Sequence, residues 1–239
     1  MPFVLKLMPL IRHFLFALCL LPSLAMAQNK RLRNQPKYDT RPLHFGFSLG
    51  LNYTDLFIRK YDLSQVPGYY AVRSEVNPGY TIRIVSDLRL HENLSLRFVP
   101  GFAATVRYLY FEVDDRFTGL RTEVFREVES AYIELPFELK FRGDRVNNHR
   151  WYVLTGIKHN IDLASKQDVE DDEFFKLKRH DFGYELGVGI DIYFEYFKFS
   201  PQIVATFGQT DLLVQDGTKL IEGISRLQTR ALLINFTFE

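Results

Sequence analysis

Five histidines are the residues of this sequence whose chemistry most readily supports metal binding or catalysis. They are His44, His91, His149, His159 and His180. None of them lie four residues apart, as ligands on one helix face would, or two apart, as ligands on one strand face would. The spacing therefore predicts no zinc site, and we expect neither a metal nor another cofactor.

A second candidate is a Ser–His–acid triad, because His159 and His180 lie close in sequence to Ser165 and Asp162. Such a triad, placed at a rim, would suit a lipid-modifying enzyme. The alternative is a polar rim without catalytic residues. We prefer the polar rim, so the chain is not expected to be an enzyme.

An acidic run follows these residues, with carboxylates at Asp168 and at residues 170–173. Carboxylate oxygens suit Ca²⁺, but the run lacks the glycine-centred spacing of a calcium loop. Lys176, Lys178 and Arg179 come directly after it and could neutralise it. We interpret the run as solvated.

The first 27 residues predict a secretory signal peptide. Lys6 and Arg12 precede an uncharged apolar run at 14–24, and small residues precede a cleavage point after Ala27. The predicted division is a signal peptide at 1–27, a basic segment at 28–43 and a β-barrel at 44–239.

Composition removes several classes of protein. The one cysteine, Cys19, excludes a disulfide scaffold and a cysteine zinc site. A net charge of +1 argues against a nucleic-acid partner. After the predicted signal peptide no uncharged apolar run reaches 18 residues, so no membrane-spanning helix is expected.

From residue 44 onward apolar and polar residues alternate with a period of two, which is typical of strands with unlike faces. Eight such runs occur, each about as long as a bilayer-crossing strand of about 9–11 residues. Their connections alternate between long and short, and this rhythm predicts an all-β, eight-stranded antiparallel transmembrane up-and-down β-barrel of the outer membrane, with both termini in the periplasm. The runs cover 44–53, 80–90, 94–106, 131–141, 151–161, 182–194, 197–207 and 231–238, and the long loops cover 54–78, 107–121, 162–179 and 208–228.

The apolar faces of these strands are predicted to face lipid, because aromatic residues fall at both ends of the aliphatic band. The polar faces carry nearly balanced charge, as a closed lumen of paired ions requires. The alternative is a soluble barrel of lipocalin type with an apolar interior. The predicted lumen charges are Arg83, Asp87, Arg89, Arg97, Glu134, Glu138, Lys140, Lys158, Glu185, Asp191 and Lys198.

Five stretches of the sequence resemble the PorT family of Bacteroidetes: residues 44–52, 85–90, 132–141, 162–169 and 178–201. The likeness covers about residues 40–239. The resemblance implies an outer-membrane component of the type IX secretion system, which is linked in some species to gliding motility. It supplies no catalytic residues.

The basic segment 28–43 carries five cations against Asp39, and Arg145 adds a further cation at the same predicted periplasmic side. It is either a flexible leader that lies against anionic headgroups or a docking surface for an acidic periplasmic partner. The five cations are Lys30, Arg31, Arg33, Lys37 and Arg41.

Eight strands enclose packed side chains and leave no room for a wide pore. The expected role is therefore assembly, bracing or docking of other secretion-system proteins, and not that of the conduit. A generic structural or adhesive barrel and a lipid-modifying enzyme are the alternatives. The expected partners are outer-membrane lipid and secretion-system proteins of the outer membrane or periplasm.

Overall fold

A computed structural model describes residues 33–62, 66–115, 119–165, 167, 175–215 and 221–239. Lys30, Arg31, the predicted signal peptide and the acidic run lie outside these residues. Helical structure in the described part includes a 3-10 turn, Tyr38–Thr40, and no helix there is long and apolar enough to span a membrane. The strands are β1 (Leu43–Lys60), β2 (Tyr69–Arg89), β3 (Leu94–Phe98), β4 (Gly101–Asp114), β5 (Arg121–Arg142), β6 (His149–Asp162), β7 (His180–Tyr193), β8 (Lys198–Gly208) and β9 (Ile224–Phe238).

The strands of the described residues close into a ring of eight. β3 and β4 are two parts of one strand, since both lie between β2 and β5. Val99 and Pro100 separate them. The other neighbours pair antiparallel in chain order, and β9 pairs with β1 to close the ring. The predicted up-and-down eight-stranded barrel is confirmed.

In the half of the barrel nearest the short turns, the exterior is apolar and the interior is ionic. Phe45, Ile84 and Ile157 are 65%, 63% and 68% exposed, whereas Arg83 and Glu138 on the opposite face are 1% exposed. The predicted orientation of the two faces is therefore confirmed here. The soluble alternative, with its apolar interior, is wrong for this half.

Two of the predicted long loops are for the most part strands. β1 continues to Lys60 and β2 begins at Tyr69, so the connection covers 61–68 and not 54–78. The prediction for 107–121 fails in the same way, because β4 ends at Asp114 and β5 begins at Arg121.

The sequence pattern assigned these strand segments to loops because the polarity of the two strand faces inverts there. On β1 the inversion lies beyond about Thr54. Leu56 lies inside and is 2% exposed, while Arg59 lies outside and is exposed. An apolar interior with a polar exterior is the pattern of strands in water. The inner apolar cluster of this extension includes Leu56, Tyr69, Val72, Leu109, Phe111, Val113, Val128, Leu177, Leu212, Leu213, Ile224 and Leu227.

Candidate functional site

The lumen layer nearest the short turns joins two lysines to two carboxylates. Lys140 on β5 donates to both oxygens of Asp191 on β7, at 2.8 and 3.0 Å. Ser200 on β8 donates to the same Asp191 at 2.6 Å. Lys198 donates to Glu239 Oε2 at 2.7 Å, just beyond the end of β9. Five side chains, from three strands and the chain end, are thereby fixed across the barrel.

The next layer is centred on Arg97. Its guanidinium lies 3.2 Å from Glu138 and 3.7 Å from Asp87, and all three side chains are at most 1% exposed. Tyr152 lies beside it, donates to Gln202 at 2.8 Å, and presents its ring 3.8 Å from Lys140 Nζ. The ring has room because residue 189, opposite Tyr152, is glycine; a Cβ there would lie 2.4 Å from the tyrosine ring.

A third layer holds Glu134 between two cations. Arg83 Nε donates to Glu134 Oε2 at 2.8 Å, and Lys158 Nζ lies 2.6 Å from Oε1. All three residues are at most 4% exposed, and Glu185 is buried in the same lumen. Above this layer Arg107 donates to Ser130.

These layers fill the lumen. Near Glu134 and Lys158 a cavity of about 10 Å³ remains, which is about the room for one water. Buried ions of this kind are stable only when paired, since desolvation of each charge costs several kcal/mol. The arrangement binds strands to one another across the lumen.

The end of the barrel at the short turns is covered by residues 34–42, here called the mouth segment. Tyr38 stacks on His44 with ring centroids 4.1 Å apart, and its hydroxyl donates to Glu239 at 2.8 Å. Burial raises the pKa of the Tyr38 hydroxyl, and the carboxylate of Glu239 raises it further. The phenol therefore stays protonated and acts as a donor.

Asp39 is the principal anchor of the mouth segment. Its carboxylate accepts hydrogen bonds from Tyr193 at 2.8 Å, from Arg145 at 3.2 Å and from Arg150 at 3.3 Å. Burial alone would raise the pKa of Asp39. The Tyr193 hydrogen bond and the two guanidinium groups outweigh burial, so that its pKa lies below the ordinary 3.8.

The predicted docking cations divide into two groups. Arg33, Lys37 and Arg41 are exposed. Arg145 is not, because its side chain is only 5% exposed and contacts Asp39, Asn34 and the Tyr193 ring. The prediction that Arg145 is free for docking is therefore wrong. Its side chain holds the mouth segment instead.

Arg89 does not belong to the lumen charge network for which it was predicted. Arg89 is half-buried at the end of β2 and donates to the Thr40 carbonyl oxygen at 3.5 Å. Without it, the predicted set has five buried cations and five buried acids. The remaining members are Arg83, Arg97, Lys140, Lys158 and Lys198 with Asp87, Glu134, Glu138, Glu185 and Asp191.

The candidate catalytic triad is not assembled. Asp162 faces the interior and is 3% exposed, with its carboxylate accepting from the Ala131 and Ala164 amides. Ser165 donates its hydroxyl to the Leu177 carbonyl oxygen at 2.8 Å. His159 lies on the outer face of β6, where its imidazole contacts His180.

The sequence analysis missed several residues that form hydrogen bonds in the lumen or at the mouth of the barrel and lie outside the predicted strands. Tyr38, Asp39 and Glu239 lie outside the predicted strands and carried no periodic signal. Arg107 was assigned to a loop, although its position continues the inward parity of Ala103 and Thr105 on β4. That parity is the signal that could have found it.

The comparisons with known proteins agree with this architecture. A sequence profile described as "Outer membrane protein beta-barrel domain" matches residues 26–214, well over half of the chain. The chain belongs to this outer-membrane barrel family. Its apolar exterior therefore contacts membrane lipid, and the protein is an integral outer-membrane barrel of the small eight-stranded type.

Solved structures similar to this barrel include Neisserial surface protein A, with 8% identity, 82% of this chain and 98% of that chain covered, and a TM-score of 0.42. AlkL in lipid bilayers is 13% identical, with 89% and 94% covered and a TM-score of 0.40. The N-terminal barrel of OprF from Pseudomonas aeruginosa is 13% identical, with 80% and 97% covered and a TM-score of 0.34. The search of curated proteins gives no match.

Proposed function

We propose that this outer-membrane barrel is a non-enzymatic, PorT-type component needed for type IX protein secretion and, in gliding species, for motility. Residues 1–27 are removed as a signal peptide, the basic segment 28–43 faces the periplasm, and 44–239 forms the barrel with both termini on the periplasmic side. The sequence resemblance over about residues 40–239 supports the assignment to this system.

One observation carries the mechanistic part of the proposal: the lumen is filled by ion pairs, and the mouth segment covers one end. A folded cargo protein needs a far wider passage than eight strands enclose. The barrel therefore acts by bracing, docking or assembling other components of the machinery, and another component provides the conduit.

The docking surface of this proposal lies in the basic segment. Asp39 is neutralised by Arg145 and Arg150, so it does not offset the charge of the exposed Arg33, Lys37 and Arg41. Anchoring also holds Lys37 and Arg41 close to the barrel at fixed positions. An acidic secretion-system protein of the outer membrane or periplasm would find a local positive potential there, which favours its encounter and orientation.

The test replaces the five cations of the basic segment with glutamine and leaves Asp39 and its partners intact. We expect barrel levels in outer-membrane fractions to be unchanged, while cargo export and copurification of partners fall together. The variants are Lys30→Gln, Arg31→Gln, Arg33→Gln, Lys37→Gln and Arg41→Gln, made in one chain.

The matched control is Arg59→Gln with Lys60→Gln, two exposed cations at the opposite end of β1. Normal export from the variant that combines all five substitutions would contradict the docking proposal. Normal export from cells that lack the protein would contradict the secretion role itself. An envelope or adhesion defect in those cells would then favour a generic structural barrel. An altered lipid A profile would favour a lipid-modifying enzyme.

A further inference from the structure

Two histidines that are 21 residues apart in sequence meet on the outer wall of the barrel. His159 on β6 lies opposite Phe182, and His180 on β7 lies opposite Ile161, so the two histidines are diagonal neighbours on one face of the sheet. His159 Nε2 and His180 Nδ1 are 3.2 Å apart. Diagonal neighbours of an antiparallel pair are within reach of long or aromatic side chains.

The His159 ring is held in position before any ligand arrives. Phe182 stacks on His159 with ring centroids 4.0 Å apart and planes 2° from parallel. The His159 and His180 rings are themselves inclined by 21°. Both backbones are fixed in a continuous antiparallel ladder from His149 to Ile161, so binding would order little additional chain.

We propose that His159 and His180 form a two-imidazole site for a borderline divalent transition cation of the Zn²⁺, Cu²⁺ or Ni²⁺ class. Two nitrogens at about 2.05 Å from one tetrahedral ion are about 3.3 Å apart, close to the separation in the structure. Imidazole nitrogen suits these ions, whereas Mg²⁺ and Ca²⁺ prefer oxygen.

Without metal, a 3.2 Å contact between two neutral imidazoles is one N–H···N hydrogen bond, in which one ring donates and the other accepts. The cation would take the place of the bridging proton. The donor ring would carry its proton on the other nitrogen, so both imidazoles remain neutral. Water would complete the coordination, because His180 is exposed.

The site lies on the exterior of the barrel toward the long-loop end, apart from the lumen and the mouth segment. It is independent of the secretion proposal. A bound cation there would add positive charge at the edge of the apolar band, where anionic lipid headgroups or a neighbouring protein can supply further ligands.

The test uses the full mature chain folded in detergent, with Zn²⁺ alone in calorimetry and Cu²⁺ alone in electron paramagnetic resonance. We expect one Zn²⁺ per chain, with affinity reduced at least tenfold in His159→Gln and in His180→Gln. The Cu²⁺ spectrum should report two imidazole nitrogens in the wild type and one in each single variant.

His149→Gln and His91→Gln are the matched controls, since each removes an imidazole from the short-turn end of the barrel. They should leave the affinity unchanged. Binding that survives in the double variant His159→Gln/His180→Gln, or that falls equally in the controls, would overturn the proposal. So would a folded wild-type barrel that binds neither ion.

Discussion

Replacing Asp39 with alanine is the most direct test of how the mouth segment is held. The change removes the acceptor for Tyr193, Arg145 and Arg150, and leaves two guanidinium groups whose side chains are only 5% and 8% exposed. An intact hydrogen bond to a charged group contributes about 1.5–3 kcal/mol. Asp39 is itself 25% exposed, so solvent screening reduces the sum of the three. We expect a loss of about 2–3 kcal/mol in the docking of the segment, or a roughly 30- to 140-fold larger open fraction.

Amide hydrogen exchange measures this opening directly, because exchange of a protected amide follows its local opening equilibrium. Peptides covering residues 34–42 should exchange faster by the factor given above, while peptides from the barrel strands keep their protection. Asp144→Ala is the matched control, as it removes an exposed aspartate from the turn between β5 and β6. Unchanged exchange of the mouth segment in Asp39→Ala would refute the anchoring role of this carboxylate.

Three further predictions concern charge, packing and pH. Glu134→Ala leaves two buried cations unpaired and should destabilise the barrel by about 3–5 kcal/mol in denaturant unfolding, whereas Glu129→Ala, at an exposed position of the same strand, should cost almost nothing. Phe111→Ala should destabilise the apolar extension by about 3–5 kcal/mol, detected as faster exchange there with membrane insertion retained. Because the pKa of Asp39 is lower in the folded protein, its contribution is fully present above pH 3.8 and is lost as the pH falls through the folded value. Wild type and Asp39→Asn should therefore differ in mouth protection above pH 3.8 and converge as the pH falls through the lower, folded pKa of Asp39.

The barrel in the membrane could be predicted from sequence because one physical constraint acts on every strand. Each outward residue meets lipid and each inward residue meets the lumen, so the two-residue period carries the whole signal. Residues 182–194 show this most clearly, and the structure places Phe182 outside and Glu185 inside. The short turns follow for the same reason, since they fall where the alternation stops.

The strand extensions beyond the lipid-facing apolar band could not be predicted from the same alternation of apolar outer and polar inner residues. There the surroundings change from lipid to water, and the preferred face inverts on the same strand without any break in the backbone. The alternation between Leu56 inside and Arg59 outside was therefore taken for a loop. A search that allows one inversion of polarity per strand would have extended β1, β2, β4 and β5.

The partners in individual ion pairs could not be predicted from the sequence, for a different reason. Parity assigns Glu134 to the lumen, but its partners Arg83 and Lys158 are set by the register of β2 and β6, which the sequence leaves open. Asp39 and Glu239 are further removed, because they lie outside the strands and are brought to the lumen by the closure of the ring.

The ionic lumen also accounts for the uniqueness of the register. A slip by one residue moves every side chain of a strand to the opposite face. For β5 such a slip would expose Glu134, Glu138 and Lys140 to lipid and remove from Arg97 its nearer carboxylate, that of Glu138. A charged residue at the middle of the bilayer costs about 2–4 kcal/mol for a basic side chain, and an unpaired buried charge adds several more. The same pairs that close the lumen therefore penalise every neighbouring register.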